Sequence, residues 1–128
     1  MDFVTFEIAK KLNEKGFREE CFARYHCGDK AYFGINSYHP DTESIFYCYN
    51  NDEDLGRFYI DAPTIEQVLN WLRKEKKIYV SIEVEREDWF EYKIVQTTKN
   101  TRCNSTRVYE TYDDAMIEGI KYVLYNLI

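Results

Sequence analysis

A cysteine thiolate activated by a histidine needs closeness in space rather than in sequence, and Cys48 with His39 supplies those two residue types. Neither residue is framed by a glycine-rich elbow or a helix start that would lower a thiol pKa or provide oxyanion donors. Cys21, His26, Cys27, His39 and Cys48 form a soft-ligand group. Zinc requires four convergent donors, usually offered as two closely spaced pairs. Cys21, His26 and Cys27 instead fall in a run of strand periodicity, where successive side chains point apart. Glu83 and Glu85 share one face of a predicted strand, with Glu87 just beyond. General acid–base work would need one of these pKa values raised by burial, and an alternating strand leaves that face in solvent. The chain has no phosphate-cradling glycine loop, serine elbow or two-histidine helical zinc motif. The expectation is therefore a non-enzymatic protein with no cofactor and no metal.

The tyrosines offer a different chemistry. There are twelve in 128 residues, and Tyr47, Tyr49, Tyr79 and Tyr92 all fall in predicted strands. Tyrosine supplies rigid amphipathic contact area and is enriched where proteins meet. With Tyr47, Tyr49 and Tyr79 projecting from a sheet face without helices, that face would bind another protein, a peptide, an extended ligand or a second copy of the chain, and Tyr92 is counted with them as a binding residue. The competing reading is cross-strand aromatic pairing that only stabilises the sheet. Stacking on single-stranded nucleic acid would use the same rings but needs a cationic groove. The segments Asp52-Glu53-Asp54, Glu83–Asp88 and Asp113-Asp114 are acidic instead.

Composition narrows the partners. Lys and Arg number 17 against 23 Asp and Glu, a net charge of −6, which argues against phosphate contacts with nucleic acid. An acidic face can imitate a nucleic-acid backbone and occupy a basic protein, a reading kept as an alternative beside a small hydrolase-like enzyme using Cys48 and His39. Hydrophobic residues make up 45% and aromatics 17%, enough to fill a core and exclude disorder. No apolar run reaches the ~18–20 residues of a membrane span, and Asp2 and Glu7 stand where an export signal would carry lysines. The expected setting is the cytoplasm, with four reduced thiols and no membrane partner.

Three helices and several strands must position these groups. Thr5 caps the first helix, Ile8, Ala9 and Leu12 form its apolar stripe, and Gly16 ends it with Phe17 folded back toward Leu12. Period-two runs follow from Glu19 to Asn50, with a turn at Gly28-Asp29 and a third run over Ile45–Tyr49. Arg57–Ile60 reads as an edge strand. Thr64 and Gln67 have capping-box spacing ahead of Ile65, Val68, Leu69 and Leu72. Arg73, Lys74, Lys76 and Lys77 close that helix, where cations oppose the negative pole of its dipole. Ile78, Val80, Ile82 and Val84 then alternate with Tyr79, Ser81, Glu83 and Glu85, and Trp89–Thr97 returns as the partner strand. Thr98–Thr106 reads as a polar loop and Arg107–Glu110 as a short last strand. Thr111 and Asp114 start the third helix, striped by Met116, Ile120, Val123 and Leu127.

Short connections between neighbouring strands favour antiparallel pairing. The fold class predicted is α+β, as one domain over 1–128. It comprises an antiparallel sheet of about five to six strands with three helices packed on one face, in the order α-βββ-α-ββ(β)-α.

The segment Ala62-Pro63-Thr64-Ile65-Glu66-Gln67-Val68-Leu69-Asn70-Trp71-Leu72-Arg73-Lys74-Glu75 resembles one that recurs in an uncharacterised family of small proteins from gut-bacterial prophages and mobile elements. The opening Phe3–Leu12 and the closing Gly119–Leu124 are similar to the same group. The likeness spans nearly the whole chain, with a variable middle at about 28–61 and 99–106. It implies a bacterial cytoplasm and a phage or conjugative-element origin, and it assigns no catalytic or binding residue.

Overall fold

A computed structural model describes residues 2–27, 31–35, 51–52 and 57–128. The chain divides into two compact units, 1–68 and 69–128.

In the first unit, helix α1 (Phe6–Glu14) starts at Thr5, whose hydroxyl accepts the Ile8 amide at 3.4 Å. It ends as the spacing predicts. Gly16 takes the left-handed φ of +95°, its amide donates to Asn13 O at 3.2 Å, and the Phe17 amide donates to Leu12 O at 3.0 Å. That pair of bonds is a Schellman end, and Phe17 and Leu12 are both buried. Strands β1 (Ala23–Cys27), β2 (Ala31–Ile35), β3 (Asn51–Asp52) and β4 (Arg57–Ala62) pair antiparallel in the order β2-β1-β4-β3. The run expected at the edge, Arg57–Ile60, is thus an interior strand: it extends to Ala62 and is paired on both sides. The third predicted run, Ile45–Tyr49, lies outside the described residues. Ile8, Leu12, Ala23, Ile60 and Ala62 are buried, and α1 packs along β4. The N-terminal segment is tied to the start of helix α2 (Ile65–Trp71) by Val4 N to Pro63 O, 3.0 Å, and Ile65 N to Asp2 O, 2.9 Å.

The predicted capping box is formed. Thr64 Oγ1 accepts the Gln67 amide at 3.2 Å, and Gln67 Oε1 accepts the Thr64 amide at 3.0 Å. Gln67 Nε2 donates onward to Glu20 O at 2.7 Å. Thr64→Ala is expected to cost about 1 kcal/mol in urea unfolding and Thr64→Ser to restore most of it, because serine keeps the accepting hydroxyl.

The second unit holds β5 (Ile78–Arg86), β6 (Trp89–Gln96) and β7 (Thr101–Asn104), antiparallel in that order. The β5–β6 register sets Val80 against Ile94 and Ile82 against Tyr92, collecting the apolar residues of both strands on one face. Helix α3 (Tyr112–Tyr122) covers that face, capped by Thr111 Oγ1 accepting the Asp114 amide at 3.0 Å. Ala115, Met116, Gly119 and Ile120 of α3 are buried, followed by Val123 and Leu124 in a last widened turn. The other face carries exposed Tyr79, Ser81, Glu83 and Glu85. Glu83 stands opposite Glu91 in the register, and Lys93 relieves that repulsion by pairing with Glu83 at 2.9 Å.

The α+β class, three helices and antiparallel pairing stand. The single sheet of five to six strands is not found: among the described residues the strands form two sheets. The reason is local pairing, since β4 bonds to β1 and β3, and β5 bonds to its own hairpin partner. The last strand is also relocated. Thr101–Asn104, expected within a loop, pairs with β6 through a turn in which Asn100 adopts a left-handed φ of 50°. Asparagine tolerates that conformation, so a polar stretch closes a hairpin. Of the predicted strand Arg107–Glu110, Tyr109 alone makes a bridge, to Phe90.

Candidate functional site

Tyr92 is the centre of the aromatic site. Counted with Tyr47, Tyr49 and Tyr79 as a binding residue, it is 7% exposed and lies beneath α3. Strand parity places it there. Tyr92 opposes Ile82, while Tyr79 opposes Val95 on the other face, where it is 43% exposed. Tyr47 and Tyr49 lie outside the described residues.

The backbone of α3 approaches Tyr92 closely because Gly119 presents no side chain there. Three residues further on, Tyr122 falls on the same side of the helix, with its ring centroid 6.1 Å from that of Tyr92 and tilted by 37°. Tyr109 is held by two backbone bonds, Phe90 N to Tyr109 O at 2.8 Å and Tyr109 N to Phe90 O at 2.7 Å. Those bonds stack its ring near that of Tyr92, 6.2 Å between centroids and 28° between planes. The three rings thus form a row. Tyr112 adds an edge-to-face contact with Phe90 at 6.3 Å.

Beside this row lies a cleft of about 210 Å³ lined by Tyr92, Glu118, Lys121, Tyr122, Tyr125 and Asn126. Tyr122 and Tyr125 are exposed at its mouth. Burial raises the Tyr92 phenol above its ordinary range, and Tyr109, Cys103, Tyr122 and Glu118 add to the shift. Tyr109 is raised by burial and by Glu118, while Arg107 opposes. The Glu118 carboxylate therefore projects its field onto two of the rings, which hold their phenolic protons at neutral pH. Cations already find these surfaces attractive: the Arg107 guanidinium lies 4.9 Å from the Tyr109 centroid, and Lys121 stands 3.8 Å from Glu118.

Tyr109, Tyr112, Tyr122, Tyr125 and Glu118 are not singled out by sequence pattern. The available signal was the i, i+3 spacing of Tyr122 and Tyr125 together with a glycine inside an apolar helical stripe.

Among the described residues, the other candidates are not brought together. His39 and Cys48 lie outside the described residues, as does the Cys27 side chain. His26 is exposed on β1, its imidazole pushed below the ordinary range by partial burial and by Arg24. Cys21 is buried, with its thiol donating to Glu19 O at 3.4 Å. Burial, Asp61 and Glu19 push that thiol well up, the opposite of what a nucleophile needs. Glu83 and Glu85 are exposed. Among the described residues, no three His, Cys, Asp or Glu side chains are grouped to hold a metal ion, and no helix is long and apolar enough to cross a membrane.

No protein-family model, curated protein or solved structure matches the chain.

Proposed function

We propose that this chain is a non-enzymatic binding protein whose second unit receives a cationic side chain, arginine or lysine, of a partner protein in the tyrosine cleft. The observation that supports this most directly is the row of Tyr109, Tyr92 and Tyr122 beside the Glu118 carboxylate. Ring faces attract a cation through their quadrupole, and the carboxylate adds a charge-assisted hydrogen bond. A volume near 210 Å³ falls below the ~300–1,000 Å³ of small-molecule pockets and suits one inserted side chain. The net charge of −6 favours encounter with a basic partner surface. A bacterial cytoplasmic setting on a prophage or mobile element belongs to the same proposal, supported by the likeness of the three segments quoted above.

The test compares a short arginine peptide with its citrulline counterpart, which keeps the shape and loses the charge. Titration of the arginine peptide should shift the amide NMR signals of Tyr92, Glu118 and Tyr122, and citrulline should leave them in place. Tyr122→Ala is expected to weaken binding by about 5- to 30-fold, equivalent to ~1–2 kcal/mol for a partly desolvated cation–π contact. Glu118→Gln should weaken it by a similar factor. Equal binding of the arginine and citrulline peptides would overturn the proposal.

A further inference from the structure

Among the described residues, strand β5 is an edge of its sheet, with β6 as its one hydrogen-bonded neighbour. Which of its backbone groups face outward follows from bonds at either end of the hairpin. Thr97 N donates to Lys77 O, so Lys77 and, at every second position, Tyr79, Ser81 and Glu83 bond toward β6. On the far side of β6, Ser105 N donates to Tyr92 O, consistent with that alternation. The amides and carbonyls of Ile78, Val80, Ile82 and Val84 therefore point away from β6. Among the described residues none of these four has a hydrogen-bond partner on that edge.

Natural edges are usually blunted by proline, by an inward-pointing charge or by a central bulge. Over Ile78–Val84 β5 has no proline, and its single irregularity falls beyond, between Val84 and Arg86. The apolar face opens progressively along this edge. Ile78 is buried, Val80 and Ile82, across from buried Ile94 and Tyr92 of β6, are half-buried, and Val84 is 65% exposed.

We infer that β5 pairs antiparallel with β5 of a second copy of this chain, with Ser81 on the two-fold axis, to form a continuous six-stranded sheet. The strand is complementary to itself in that register. Ile78 stands opposite the partner copy's Val84, and Val80 opposite its Ile82, so every apolar residue of the edge meets an apolar residue. A shift of the axis to Ile82 sets Ile78 against Arg86. A shift to Val80 sets Val84 against Lys76. With the axis at Ser81, Tyr79 opposes Glu83, a phenol facing a carboxylate, and no carboxylate directly opposes another. An axis perpendicular to the sheet keeps both apolar faces on one side, so both copies of α3 lie on that side. Ser81 forms a non-hydrogen-bonded pair with its own copy, the closer of the two antiparallel pair types at ~4.5 Å between Cα atoms. This interface uses none of the residues that line the tyrosine cleft, and it stands or falls separately from the cation reading.

The experiment is sedimentation equilibrium on the full chain over micromolar to millimolar concentrations. The wild type should show a reversible monomer–dimer equilibrium. Ser81→Glu and Ser81→Lys should each be monomeric, because like charges then meet across the axis. Ser81 is exposed and its side chain leaves the sheet on the open face, so both variants should keep the wild-type circular dichroism spectrum. An equimolar mixture of the two should recover a heterodimer, an outcome specific to a residue facing its own counterpart. A wild type that stays monomeric throughout would overturn the inference. So would a dimer that survives Ser81→Glu, or two folded variants that fail to associate on mixing.

Discussion

Gly119→Val is expected to lower stability by about 2 kcal/mol. A Cβ at position 119 would stand 3.0 Å from Tyr92 Cβ, 3.0 Å from Val80 Cγ1 and 3.1 Å from Tyr92 Cγ. Tyr92 Cβ and Cγ belong to the stiff base of a buried side chain and cannot swing aside, so α3 must lift from the sheet or the strands must shift. Overpacking of this kind costs ~1–3 kcal/mol, and a β-branched side chain sits toward the upper end because its χ1 is restricted in a helix. Helix propensity recovers only a few tenths to ~1 kcal/mol of that, so the steric term wins. The midpoint of urea unfolding measures the effect. Val80→Ala in the same chain removes one of the three close contacts, and the penalty for Gly119→Val should shrink by about 1 kcal/mol in that background. An unchanged penalty would mean that the helix does not bear on Val80. The same close approach brings Tyr122 beside Tyr92, so Gly119→Val should weaken the arginine peptide as well.

The second large effect is a pH dependence set by Asp61. This residue lies in β4 opposite Arg24 of β1 and is 6% exposed, with Oδ1 lacking a hydrogen-bond partner among the described residues. Burial raises its carboxyl from the ordinary 3.8 to about 7, while Arg24 and Arg18 pull the other way and lose to desolvation. The folded chain thus holds a proton at Asp61 that the unfolded chain has released across that interval. Where the folded state binds more protons, stability falls as pH rises, so the loss begins near pH 4 and is complete above about pH 7. At ~1.4 kcal/mol per pH unit, the whole interval corresponds to ~4 kcal/mol. Asp61→Asn presents the neutral side chain at every pH and should abolish this slope. Urea midpoints taken from pH 4 to 8 should show variant and wild type nearly equal at the acidic end. Above pH 7 the variant should be more stable by up to ~4 kcal/mol. An asparagine variant less stable at every pH would show instead that the ionised carboxylate is held by Arg24 and Arg18. The neighbouring Cys21 thiol feels the same charge, so its alkylation should stay slow across this range.

Chain-local chemistry was legible in the sequence where a hydrogen bond closes within a few residues. Thr5, Thr64 and Thr111 cap three helices because a hydroxyl reaches an amide three positions on, whatever the rest of the molecule does. Gly16 ends α1 because a left-handed residue is cheap only without a Cβ, and the alternation Ile78, Val80, Ile82 assigns β5 and its apolar face. Parity also contained the location of Tyr92, since Glu91 and Lys93 flank it. Composition misled at Thr101–Asn104, where a polar strand is stabilised by pairing with β6 rather than by its own side chains.

Helix ends, strand alternation, the α+β class and the acidic balance were thus determined by the sequence alone, through forces acting over one or two turns of chain. Only the tertiary structure decided that the strands divide into two sheets, that Tyr109, Tyr92 and Tyr122 stand in a row beside Glu118, and that Asp61 is buried opposite Arg24. Each of those depends on which distant edge or face a segment meets. That choice is made by the free energy of burial and pairing summed over both partners, a quantity that no single stretch of chain carries.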